Sequence, residues 1–227
     1  MHNPKLMIHQ IFVGLMSEGN TDNRFLESVV RRTFEAIGFE CKGDVEISVE
    51  SLKIEKIGLD FVEQVIKASE EGFKKFGITV LCVHTDADNN SDLLAFENKI
   101  NPAVNKLKIT NTDMCKIITP VVPVRMIEAW MLADKDLLKN EIGTNKPDSE
   151  LKIDRDPEAI SDPKKTIENA IRFARQEFTK RKRKDLTISE LYQPIGQKIG
   201  IDKLDSLKSF KKFKEAIRKS YQELNCI

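Results

Sequence analysis

Apolar residues over 8–15, several of them β-branched, stop at Ser17, Glu18, Gly19 and Asn20, which predicts a buried strand and a tight turn. Thr21 stands where a helix N-cap is wanted. Phe25, Leu26, Val29, Val30, Phe34 and Ile37 then recur at helical intervals until Gly38. A second strand is predicted over 45–49 and an amphipathic helix over 61–76, closed by Gly77. Residues 78–83 are apolar without interruption, as in a central parallel strand covered by helices on both faces. The run breaks into the polar loop His84, Thr85, Asp86, Ala87, Asp88, Asn89, Asn90. A helix over 91–107 follows, then a fourth strand over 115–122 stopped by Pro123, then a short helix through Ile127 and Trp130.

This alternation predicts an α/β fold with a parallel sheet of about four strands flanked by helices, because each crossover must return the chain to the same edge. Residues 137–162, rich in Pro, Gly, Asp, Asn and Lys, read as a loop or linker. Helical periodicity resumes over 164–178, 188–199 and 209–224. The expected organisation is an α/β domain over 1–136, the linker, and a helical extension over 163–227 packed on the first domain.

A chain of 227 residues, 40% hydrophobic and 32% charged, can bury a full core without disulfides. Its cysteines, Cys41, Cys82, Cys115 and Cys226, form no Cys-x-x-Cys pair and are expected to be reduced thiols. With only His2, His9 and His84, a histidine-rich metal site or a Ser/His/Asp triad has few candidates, so oxygen-based chemistry is favoured. No window approaches the roughly 18 apolar residues that cross a bilayer, and residues 1–16 lack a basic leader pattern. The expectation is a soluble, cytoplasmic protein with no membrane partner; monomer and oligomer are equally compatible with the sequence.

The net charge of +1 hides an asymmetry. Residues 163–227 carry 17 Lys and Arg against 8 Asp and Glu, whereas the remainder carries 20 against 28. An acidic body that gathers a cation and a basic tail that gathers phosphates suit a metal-dependent protein acting on nucleic acid. Ordinary helix-surface lysine is the alternative. The densest basic run, Lys180, Arg181, Lys182, Arg183 and Lys184, is read as a nucleic-acid contact or as a solvated helix end.

In parallel sheets ligands sit beyond the carboxyl ends of the strands. That rule selects three loops, 17–20, 84–90 and 123–128. Glu18 follows the first strand, Asp86 and Asp88 the third, and Glu128 the fourth, so four carboxylates meet on one edge. Such a cluster needs protons or a cation, and Mg²⁺ (or Mn²⁺) prefers oxygen ligands. Asp22, one turn after Glu18, could share a second ion. Two acids in a polar loop are also commonly just solvated. His84 is expected as a strand-end structural residue that could touch the site, Asp92 as a helix-start acid, Glu128 by its pattern as an exposed helix acid, and Trp130 as core. Arg125, near a helix N-terminus, could bind a phosphate.

Together, Ser17-Glu18-Gly19-Asn20-Thr21-Asp22 and Asp86-Ala87-Asp88 resemble the TOPRIM domain of topoisomerases, bacterial primases and overcoming-lysogenization-defect nucleases. The acid four residues after the glutamate is closer to the nuclease branch. With Ile127-Glu128-Ala129-Trp130-Met131-Leu132-Ala133-Asp134 added, the chain is similar to small stand-alone bacterial TOPRIM-like proteins, several of them from phage-defence loci. The resemblance covers residues 6–135 by motif and the tail loosely. It implies Glu18 as general acid/base or ligand, Asp86 and Asp88 as Mg²⁺ ligands, and Asp22 and Glu128 as a second metal position. Two ions would then serve phosphodiester hydrolysis in DNA or RNA; the alternative is a non-catalytic TOPRIM-like module that binds nucleic acid or a partner. Tyr192 and Tyr221 lie in the tail, not where strand transfer needs a tyrosine, and no Walker-type phosphate loop is present. Any nucleotide hydrolysis would come from a separate ATPase partner.

Overall fold

The computed structural model describes residues 8–176 and 186–227. The basic run Lys180 to Lys184 therefore lies outside the described residues. Four strands, β1 (Ile8–Met16), β2 (Asp44–Ser51), β3 (Val80–His84) and β4 (Ile118–Val121), form one sheet in the order β2-β1-β3-β4. Every pairing is parallel, with Ile11 opposite Ile47, Leu15 opposite Cys82, and Cys82 opposite Thr119. The carboxyl ends of all four strands therefore lie on one edge.

The two-residue period of a strand divides the core. Val80 and Cys82 face one side with Val13, Leu15 and Val121, while Leu81 and Val83 face the other with Met16 and Val122. On the first side lies α1 (Asn20–Gly38), presenting Phe25, Leu26, Val29, Val30, Phe34 and Ile37. On the second lies α2 (Phe61–Phe76), capped by Asp60, whose carboxylate accepts from Glu63 N at 2.8 Å, and ended by Gly77 in the left-handed conformation. The segment expected as a single helix over 91–107 is built in three pieces. Leu93–Ala95 (α3) opens through a π-turn, Phe96–Ile100, into α4 (Asn101–Ile109), and the π-turn carries Lys99. Gly19, not Thr21, is the N-cap of α1, and Asp22 Oδ2 accepts from Gly19 N at 2.8 Å.

After β4 come α5 (Glu128–Met131), α6 (Lys135–Ile142) and α7 (Asp148–Leu151). The stretch expected as a linker is thus packed: Leu138, Ile142, Leu151, Ile153 and Ile160 are buried in the same core as α1. Its apolar residues are few and set among polar ones, and an average over composition conceals them. The remaining helices are α8 (Pro163–Ala174), α9 (Tyr192–Lys198), α10 (Ile201–Leu204) and α11 (Lys208–Glu223).

These helices finish the α1 face of the sheet. Trp130 is fully buried, meets Phe210 edge to face at 5.1 Å, and donates its indole N–H to Ser209 Oγ at 2.8 Å. Thr119 on β4 and Ser220 on α11 share a buried hydrogen bond of 2.7 Å, and Tyr221 donates to Phe34 O at 2.7 Å. Arg32 of α1 donates to Gly196 O and Ile199 O, both at 2.7 Å, filling the orphan carbonyls at the end of α9. Among the described residues no helix is long and apolar enough to cross a membrane.

Candidate functional site

Each acid is delivered by the chain leaving a strand. After β1, Ser17 and Glu18 turn away, and Lys56 pins the turn by donating to Ser17 O at 2.7 Å and Glu18 O at 2.8 Å. The loops after β3 and β4 continue the ladder beyond the strands: Thr85 N donates to Val121 O and Ala87 N to Pro123 O. Further out, Asp88 N donates to Arg125 O and Arg125 N to Asn89 O, both at 2.9 Å. Asp88 and Arg125 both have positive φ, 53° and 63°. For residues with a Cβ this costs about 1–2 kcal/mol each, and the backbone clasp holds it in place.

The side chains then converge. Glu18 Oε1 accepts from Thr85 Oγ1 and lies 3.2 Å from the Lys99 ammonium, which also donates to Thr85 Oγ1 at 2.7 Å. His84, with no solvent exposure, has Nε2 3.3 Å from Asp86 Oδ1 and Nδ1 4.0 Å from Asp22 Oδ2, so one imidazole stands between two carboxylates. Neither ring nitrogen completes a well-formed hydrogen bond. Asp86 Oδ1 also accepts from Ile127 N at 3.0 Å, fastening the third strand's acid to the start of α5. Glu128, expected as an exposed helix acid, is only 4% exposed, and its Oε1 accepts from Tyr192 OH of α9.

The electrostatics bind the five acids into one group. Burial, then the charges of Asp86 and Glu18, push the Asp22 carboxyl above its ordinary value against the pull of His84. Asp88 is pushed up by burial, Asp86 and Glu18. Glu128 is pushed up by burial first and also by Asp86, with the Tyr192 hydrogen bond opposing. For Glu18, partial burial acts upward, but Thr85 and Lys99 outweigh it and hold the carboxyl below the usual range. Burial works to neutralise His84, yet Asp86, Asp22 and Glu18 prevail and raise its pKa.

Glu18, Asp22, Asp86, Asp88 and Glu128 are therefore brought together, and Arg125 borders them. Among the described residues no group of three or more His, Cys, Asp and Glu side chains stands ready to hold a metal ion. Mg²⁺ makes a more modest demand, one or two carboxylates with water and substrate phosphate completing its shell. Three of these carboxyls, Asp22, Asp88 and Glu128, are raised partly by neighbouring negative charge, which an added cation would relieve.

Lys99 and Tyr192 belong to the site and have no sequence signal of their own, while Thr85 lies in the strand-end loop 84–90. Lys99 reads as a surface helix residue and Tyr192 lies 64 positions from its partner. His84 was legible by its place at the end of an apolar strand. Asp92 does precede α3, but its carboxylate goes to Lys212 of α11 at 2.6 Å rather than to a helix N–H.

A parallel sheet covered on both faces, with acids gathered at its carboxyl edge, defines the class as an acid-rimmed α/β protein. Within it, the chain belongs to the family described as a domain of unknown function, DUF4276, which it matches over residues 17–218. No curated protein and no solved structure matches it.

Proposed function

We propose that this chain is a metal-dependent nuclease of the TOPRIM-like kind, hydrolysing phosphodiester bonds of DNA or RNA. The observation that carries the reading is the convergence of five carboxylates, from three separate stretches of sequence, on the carboxyl edge of a parallel sheet. Mg²⁺ or Mn²⁺ would be held by one or two of the carboxylates Asp86, Asp88 and Glu18, and a second ion by Asp22 or Glu128, with water and substrate phosphate completing each shell. The bound ion would polarise the phosphate and lower the pKa of a water.

The chain's own groups divide the remaining work. Thr85 and Lys99 keep Glu18 ionised, which suits a ligand or base rather than an acid. Asp22 is raised and faces His84, so this pair can hold a proton close to the reacting phosphate. Ile127 N fixes one oxygen of Asp86 and leaves the other to the rim. The resemblance to phage-defence proteins suggests that setting, with any ATP hydrolysis supplied by a separate partner.

A second reading, a non-catalytic module that binds nucleic acid or a partner, is favoured by one observation: the Lys99 ammonium already pairs with Glu18, and the buried His84 imidazole already lies against Asp22 and Asp86. Purified chain with Mg²⁺ or Mn²⁺ is expected to nick a nucleic acid, and Asp86→Ala to abolish nicking while the protein stays folded at the assay temperature, as a thermal melt would show. Cutting that survives in the variant or in chelator rejects the nuclease reading. Binding without cutting, indifferent to metal, selects the second.

A further inference from the structure

We infer that a single nucleic-acid strand lies across the carboxyl edge of the sheet, anchored in two recesses that flank the acids; the inference rests on the nucleic-acid reading above. One recess, of about 420 Å³, opens where β2 ends and α1 begins and is lined by Asn20, Asn23, Arg24, Lys53, Gln193 and Gln197. The other, of about 520 Å³, opens beyond β4 and is lined in part by Arg125, Lys208 and Lys212. The strand order β2-β1-β3-β4 sets Glu18, Asp86 and Asp88 between them. At about 4.8 Å per strand the track from β2 to β4 is about 14 Å long, the reach of a few nucleotides.

Both recesses hold cations that no acid pairs with among the described residues, although the first sets Glu27 against its two cations and the second sets three acids against three cations. Arg24 and Lys53 have no ion-pair partner among the described residues, while Glu27 in the same recess accepts from Ser51 Oγ at 3.2 Å. In the second recess every acid accepts hydrogen bonds, and Asp92 alone is paired with a cation. Asp92 is held by Lys212 at 2.6 and 2.8 Å, Glu158 by the N–H groups of Lys208 and Ser209 at 3.0 and 2.8 Å, and Asp156 by Glu158 N at 3.1 Å. Arg125 Nε is buried without a partner, and the Lys208 ammonium has none among the described residues. Such unpaired cations on either side of an acidic centre suit the two phosphates that flank the one being acted on.

The first recess also decides between strand and duplex. Four carboxamides line it, each with a donor and an acceptor edge, and the buried Asn23 Oδ1 has no partner. Carboxamides pair with base edges, and a base can enter a recess only when it is unstacked and unpaired.

The test is fluorescence anisotropy on the full chain in chelator, with a fluorescein-labelled mixed-sequence strand of about twelve nucleotides and with the same sequence as a duplex. The single strand is expected to bind more tightly. Arg24→Ala with Lys53→Ala, and separately Arg125→Gly with Lys208→Ala, are each expected to weaken binding and to lower the log–log salt slope by about 1.4, at 0.7 per lost phosphate contact. Glycine is chosen at position 125 because φ is 63° there. Lys74→Ala with Lys75→Ala, at the end of α2 on the opposite edge of the sheet, is expected to leave binding unchanged. Rim variants that bind like the native chain, a control that weakens equally, or a duplex bound as tightly as the strand overturns the inference. Cleavage with Mn²⁺ is read in parallel. Loss of strand binding in the rim variants without cleavage by the native chain would keep the track and reject the nuclease; cleavage unaltered in the rim variants would do the reverse.

Discussion

At Gly196 the helical tail lies directly against the backbone of α1. A Cβ added there would fall 2.5 Å from Phe25 O and 2.7 Å from Phe25 Cα, both backbone atoms of α1. To restore ordinary contact at 3.4 Å, α9 must withdraw by about 0.9 Å. That movement strains the two 2.7 Å hydrogen bonds from Arg32 and draws Tyr192, four residues earlier on the same helix, away from Glu128. Overpacking against rigid backbone costs about 1–3 kcal/mol. For a chain of this size that lowers the melting temperature by about 2–12 °C. Gly14→Ala is the comparison, because its Cβ would meet the flexible ends of Ile78 at 2.7 Å and Leu52 at 3.0 Å, which can turn aside. Urea and thermal melts of both variants supply the assay, and Gly196→Ala is expected to lose clearly more. A Gly196→Ala protein as stable as the native one, or less affected than Gly14→Ala, refutes the claim that the tail and α1 form one close-packed unit.

Other consequences concern the polar groups at the rim. Tyr192→Phe removes the donor from a buried carboxylate, at a cost of about 1.5–3 kcal/mol where Glu128 is ionised. Glu128 is already raised by burial and rises further without Tyr192. A raised carboxyl loses stability as pH climbs through its folded value, so the deficit should be larger at about pH 8 than at about pH 5; equal deficits contradict this. His84 is raised by Asp86, Asp22 and Glu18 despite its burial, so its contribution is complete below about pH 6.5 and is lost as pH rises through the folded value. His84→Gln should flatten the stability curve in that window, and an unchanged slope in urea melts would show that the imidazole is not the group that titrates.

Much of the fold was legible because its causes are local. The unbroken apolar run that became β3 and the spaced apolar residues of α1 and α2 state their burial directly. The strand-end rule likewise selects the loops that carry Glu18, Asp86, Asp88 and Glu128, and helix spacing adds Asp22, although the burial of Glu128 has no sign in its pattern. What stayed hidden depends on long-range packing. Lys99 reaches Glu18 across 81 positions, and Tyr192 reaches Glu128 only because α9 packs on α1 through Gly196. The stretch over 137–162 looked like a linker because five buried aliphatic residues lie scattered through a polar composition.

The charge balance among the acids also needed three dimensions. The sequence predicts a negative cluster relieved by protons or a bound cation, whereas the fold also sets His84 between Asp22 and Asp86 and Lys99 against Glu18. The question that follows is whether the acids still draw in a metal.

Anomalous diffraction from a crystal soaked in Mn²⁺ answers it. The account predicts a Mn²⁺ peak bounded by Glu18, Asp86 and Asp88, lost in crystals of Asp86→Ala. A native crystal whose rim stays free of anomalous density while Mn²⁺ occupies other carboxylates would contradict it.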